Sequence, residues 1–124
     1  MADSGDLSIE AIARKIAGQY AVLQISCEML PVPIALPEAS VTLSNLDTIP
    51  AVQRVVDLAE EQPMPEEVQA HLFTAAIFWL TAMDLLGIIV ANEWTDARAY
   101  QALGALSISG DALKDLGTWL VDQQ

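Results

Sequence analysis

Few side chains in this sequence are of the types that do chemistry, and their spacing decides what they can do. His71 is the only histidine, and Glu67 precedes it by four residues. That interval puts both on one face of a helix. Two ligands so placed can begin a metal site, but a di-iron bundle repeats Glu-x-x-His on two helices. A zincin helix needs a second histidine. Neither pattern occurs, so His71 reads as a solvated or capping residue, and no metal or cofactor is expected. Cys27 is the only cysteine. As a nucleophile it would need His71 brought close and a third group to orient the base. It falls instead on an apolar helical stripe, where cysteine behaves as a small, inert hydrophobe. A lone cysteine also precludes an intrachain disulfide, which suits a reducing cytoplasm.

No glycine loop that could cradle a phosphate is visible. Gly104 and Gly110 lack GxGxxG or P-loop spacing. There is no G-x-S-x-G, no CxxC and no basic-aromatic stripe. The sequence therefore predicts a protein that is not an enzyme. Asp84 stands out because it interrupts a nearly continuous apolar run. A carboxylate there must be paired, protonated or at the wet edge of its helix. A structural role is the favoured expectation, under which Asp84→Asn alters stability more than binding.

The remaining candidates point toward protein partners. Tryptophans 79, 94 and 119 and methionines 29, 64 and 83 suit core packing. The same residue types are enriched at interfaces. Trp94, at a helix end, is the first candidate for an interface anchor, and Tyr100 lies close by. Ile34 and Leu36 sit in a segment bracketed by Pro31, Pro33 and Pro37. Asp57, Glu60, Glu61, Glu66 and Glu67 form an acidic run without a positive charge. Such a run is a solvated face or a surface for a basic partner. Its density is too modest for DNA mimicry, and the net field repels nucleic acid.

The elements that must position these residues are helical. The apolar residues Ile9, Ile12, Ile16, Tyr20, Leu23, Cys27 and Leu30 alternate spacings of three and four, forming one helical stripe. Ser8 is a suitable N-cap, and Pro31 and Pro33 end the helix. Residues 1–7 read as a polar arm and 31–48 as a proline-rich connection that packs across the bundle or meets a partner. Val41-Thr42-Leu43 has strand character but no strand to pair with. A helix capped by Asp47 or Thr48, with Pro50 in its first turn, carries Val52, Val55, Val56 and Ala59 on its apolar face. Pro65-Glu66-Glu67 starts a helix reaching about Asn92 that is apolar nearly all round. Thr95-Asp96 caps a further helix, Ser107 to Gly110 reads as a turn, and Ser109 as the cap of a last helix.

Leu72–Val90 is long enough to cross a bilayer. Against a span, Asp84 would lie deep in hydrocarbon, at a cost of roughly 2.5–3.5 kcal/mol. Its flanks are acidic, with no basic residue after it until Arg98. It is therefore expected to be a core helix, and no membrane association is expected. Met1 to Ser8 has neither a basic nor an apolar stretch, so a secretion signal is not expected either.

Composition bounds the rest. In 124 residues, 53% are hydrophobic, and 17 Asp and Glu face 5 Lys and Arg, a net charge of −12. The mean hydropathy is +0.38. One domain of this size cannot hide so much apolar surface, and exposed patches mark partner sites. The sequence thus predicts a single all-α domain over residues 1–124, a compact bundle of four to five helices around the apolar helix at about 65–92. The expected function is a non-enzymatic, acidic interaction module, probing a basic partner surface and forming a homodimer. Within that class, an inhibitor that sequesters a partner (an anti-activator or an immunity protein) leads. A structural subunit or assembly chaperone is the alternative, and a helical ligand carrier or motif-free enzyme the third. The candidate partner-binding residues are Trp94, Tyr100, Ile34, Leu36, Glu60, Glu61, Glu66 and Glu67.

Overall fold

The computed structural model of the chain describes residues 7–38, 45–92 and 94–124. The polar arm before residue 7, the Val41-Thr42-Leu43 stretch and Glu93 lie outside the described residues. Among the described residues, four α-helices pack into a bundle: α1 (Ile9–Glu28), α2 (Asn45–Leu58), α3 (Glu66–Ala91) and α4 (Asp96–Asp122). A 3₁₀ turn, Ala59–Glu61, follows α2. No strand occurs among the described residues.

Helix α1 begins as its cap dictates. Ser8 is extended, and its Oγ accepts the Ala11 N–H at 3.1 Å, satisfying one of the orphan donors of the first turn. Ile12, Ile16, Tyr20, Leu23 and Cys27 are all buried, so the stripe is the core face. Ile9, on the same spacing, is exposed at the helix start. The chain then turns back across the bundle. Ile34 N–H donates to the Cys27 carbonyl at 3.0 Å, and the Tyr20 hydroxyl donates to the Pro37 carbonyl at 2.6 Å. Gln62 holds the other side, its Nε2 donating to the Val32 carbonyl at 2.8 Å and its Oε1 accepting the Val32 N–H at 3.1 Å. This side chain imitates a strand partner for a segment that has none.

Helix α2 starts earlier than its capping residues suggested. Asp47 and Thr48 lie inside it, and Pro50 is interior rather than in the first turn. The reason is packing. Thr48, Val52, Val55 and Ala59 are buried at helical spacing, which carries the stripe N-terminally past the proline. Pro50 itself is exposed, so the backbone bond it forgoes lies on the outer side.

Helix α3 contacts all three other helices and is the centre of the bundle. Pro65 caps it from outside, its carbonyl accepting the N–H groups of Val68 and Gln69, both at 2.9 Å. Trp79 is fully buried and donates its indole N–H to the Ile16 carbonyl of α1 at 3.1 Å. Its ring meets Tyr20, centroids 5.5 Å apart and tilted by 45°. Such a pair contributes about 0.5–1.5 kcal/mol beyond its buried area.

The expected turn at Ser107–Gly110 is absent, because α4 is continuous from Asp96 to Asp122. The small residues serve helix crossing instead of chain reversal. Ser109 is buried and donates to the Ala75 carbonyl of α3 at 2.7 Å. At Gly110, a Cβ would stand 3.3 Å from Gln19 Oε1, and the Gln19 amide donates to the Leu106 carbonyl at 3.0 Å. Alanines 75, 76 and 82 on α3, with 99, 102, 105 and 112 on α4, are buried. Small side chains of this kind let the two long helices pack closely along most of their lengths.

Candidate interaction surface

The bundle buries only one side of its central helix. Glu66–Ala91 is the one helix among the described residues long and apolar enough to cross a membrane by length and composition, and only 39% of its most apolar stretch is buried. The inner side, with Leu72, Ala76, Trp79 and Met83, faces the other helices. The opposite side carries Glu66, Ala70, Phe73, Ile77, Thr81, Asp84, Ile88 and Ala91. Their spacing of four, three, four, four, three, four and three residues makes one line along the helix. Phe73 is 45% exposed and Ile88 39%. Large apolar side chains in line on a wet helix face are the kind of patch that marks a partner site.

A groove flanks this line on each side. Between α2 and α3, a groove of about 460 Å³ has Val56, Ala59, Ala70 and Phe73 as its apolar lining, with Asp57, Glu60 and Glu66 at its rim. Between α3 and α4, a groove of about 580 Å³ is lined by Phe78, Leu85, Ile88, Ala105 and Ile108, with Asp84 and Gln101 as its polar members. Neither contains a lysine or arginine. The cleft beside Val32–Ala35 holds Arg54, and that at the α3–α4 junction holds Arg98.

The sequence-derived candidates fall into three groups. Ile34 and Leu36 are 4% and 7% exposed and belong to the core. They are not surface residues in this fold, because the prolines that bracket them bend the segment back over α1. Trp94 is half-buried against the core, with its indole N–H donating to Asp96 Oδ1 at 2.9 Å. Tyr100 is 63% exposed on α4. Glu60, Glu61, Glu66 and Glu67 are exposed, and Glu60 and Glu66 rim the α2–α3 groove. Asp84 is also exposed, on the wet edge of α3. The favoured structural role for it therefore loses its basis, since a solvated carboxylate needs no internal partner.

Phe73, Ile77 and Ile88 were hidden in the sequence by a helix apolar all round. One signal was available: Glu66, Thr81 and Asp84, the polar interruptions, fall on the same helical line and mark its wet side.

The chemistry-bearing side chains are not gathered into a site. Cys27 is fully buried, and burial, helped by the Glu28 charge, pushes its thiol up to about 12. At neutral pH it carries essentially no thiolate, the form that reacts. His71 is half-buried on α3, and Glu67 is exposed. Among the described residues, no group of three or more His, Cys, Asp or Glu is placed to hold a metal ion. The chain matches no protein-family model, no curated protein and no solved structure with which it was compared. The functional reading therefore rests on the surface itself.

Proposed function

We propose that this protein is a non-catalytic interaction module that occupies another protein's surface, acting as a sequestering antagonist. The observation that carries the reading is the outer face of α3: a line of apolar residues on which Phe73 and Ile88 are exposed and Ile77 half-buried, between two grooves whose only charged lining is acidic. An apolar centre with a polar rim is the usual anatomy of a binding patch. The carboxylates favour a basic partner by speeding encounter, while the apolar contacts supply most of the affinity. The thiol buried at Cys27 and the scattered His71 and Glu67 give no support to an acyl-transfer or metal-dependent activity.

Self-association belongs to the same reading but to a different face. Val22 and Ile25, 50% and 59% exposed, lie on the side of α1 turned away from the bundle. Homodimerisation through them would leave α3 free for its partner.

Capture from a lysate, read by stoichiometry and light scattering, tests the proposal. The expected result is one dominant protein in a discrete small complex, lost on Phe73→Glu and kept on Val22→Glu. Retention of the complex by Phe73→Glu, with helicity intact, refutes the assignment to α3. Recovery only within a large, fixed assembly favours a structural subunit instead.

A further inference from the structure

The two grooves on α3 are related by more than proximity. Ala70 and Phe73 line the α2-side groove, Asp84 and Ile88 line the α4-side groove, and all four share one helical line. From Ala70 to Ile88 that line runs about 27 Å at 1.5 Å per residue. Neighbouring helix axes stand roughly 8–10 Å apart, so each groove lies about half that distance to its side of α3. A rod passing from one groove into the other shifts sideways by about 9 Å over about 27 Å, crossing α3 at close to 20°.

We propose that the outer face of α3 and its two flanking grooves form one track for a single amphipathic, basic helix of a partner protein, about 18 residues long. The inference rests on the protein-binding reading above and names the partner's chemistry. Charge selects the occupant. Asp57, Glu60 and Glu66 crowd one end and Asp84 stands alone toward the other, with no cation lining either groove. A second copy of this chain, at −12, would bring like charge to the same track. The partner helix must therefore be apolar on one side, with anchors near both ends that meet Phe73 and Ile88. Its cations must cluster at the end over the α2–α3 rim, with one more opposite Asp84. This is helix-in-groove recognition, read by apolar anchors spaced three, four and seven residues apart.

The test uses the full chain and two labelled 18-residue peptides of identical composition, one patterned as above with leucine and lysine, one scrambled. Fluorescence anisotropy is read across a salt series, and circular dichroism checks each variant's fold. The patterned peptide is expected to bind at least tenfold more tightly than the scrambled one. Phe73→Asp and Ile88→Asp should each remove at least that difference, while Asp84→Asn and Glu66→Gln should flatten the salt dependence. Equal binding of both peptides overturns the track, because net charge alone then explains the attraction. Sedimentation supplies a second arm: a dimer dissociated by Ile77→Glu puts a second copy on this face and overturns the proposal. So does binding to zwitterionic vesicles that is lost on Phe73→Asp. If lysate capture succeeds on this face but the peptides are not distinguished, the protein-binding reading stands and the helical partner falls. If the peptides are distinguished but no protein is captured, the track stands and the sequestering role falls.

Discussion

Gln62 offers the sharpest test of how the bundle holds its irregular segment. It is 4% exposed, and its amide makes both bonds to the Val32 backbone, at 2.8 and 3.1 Å. Gln62→Ala removes two bonds, each contributing about 1 kcal/mol net. Water can reach the freed Val32 groups in part, since the Val32 side chain is exposed. The expected loss is about 1–2 kcal/mol, with loosened packing of Ile34 and Leu36. Gln62→Glu is more informative. The carboxylate can still accept the Val32 N–H, but it faces the Val32 carbonyl without a proton and is buried as a charge. Its folded-state pKa must then rise above the ordinary carboxylate value of about 4.3. In the window above that value the folded variant holds a proton that the unfolded chain has lost, so its stability falls as pH rises. Relative to wild type at the same pH, Gln62→Glu should be nearly neutral at pH 4.5 and about 2–4 kcal/mol less stable at pH 7. Urea denaturation followed by circular dichroism from pH 4.5 to 7.5 measures this, and the wild-type comparison cancels the other carboxylates. A penalty independent of pH, or Gln62→Ala within about 0.5 kcal/mol of wild type, would refute the clamp.

Other expectations follow from single contacts. Burial first, and to a lesser degree Cys27 and Asp47, raises the Tyr20 pKa, so its contribution is full below about 10 and lost as pH rises further. Tyr20→Phe should cost about 1 kcal/mol at pH 7 through the Pro37 bond, and should lose less stability than wild type between pH 9 and 11 in thermal melts. Cys27 should react with an aromatic disulfide at pH 8 only as fast as the chain unfolds; labelling at the free-thiol rate would show that it is accessible. A Cβ at Gly18 or Gly87 meets nothing within 4 Å, so Gly18→Ala and Gly87→Ala should each stabilise by about 0.5–1 kcal/mol, read as a raised Tm. Asp84→Asn should leave stability within about 0.5 kcal/mol, because the carboxylate is solvated; a larger change would mean an internal partner.

Local pattern was enough to establish α1 and α3 and most of the helix ends. Ser8, Pro65 and Thr95 sit where the helices begin, and the three-four spacing of Ile12 to Cys27 marked the buried side of α1, because capping and amphipathicity are properties of short stretches of chain. What local pattern could not settle was whether a small or apolar residue faces another helix, water or a bend. Ser109 and Gly110 resembled a turn, yet Ser109 bonds Ala75 and Gly110 makes room for Gln19, partners 34 and 91 positions away along the chain. Ile34 and Leu36 could either pack across the bundle or meet a partner, and the bonds from Gln62 and Tyr20 hold their segment inward. The outer line of α3 was marked in the sequence only by Glu66, Thr81 and Asp84. A helix apolar nearly all round carries too weak a periodicity to say which side is covered, and only the packing of α1, α2 and α4 on its inner face leaves Phe73 and Ile88 exposed.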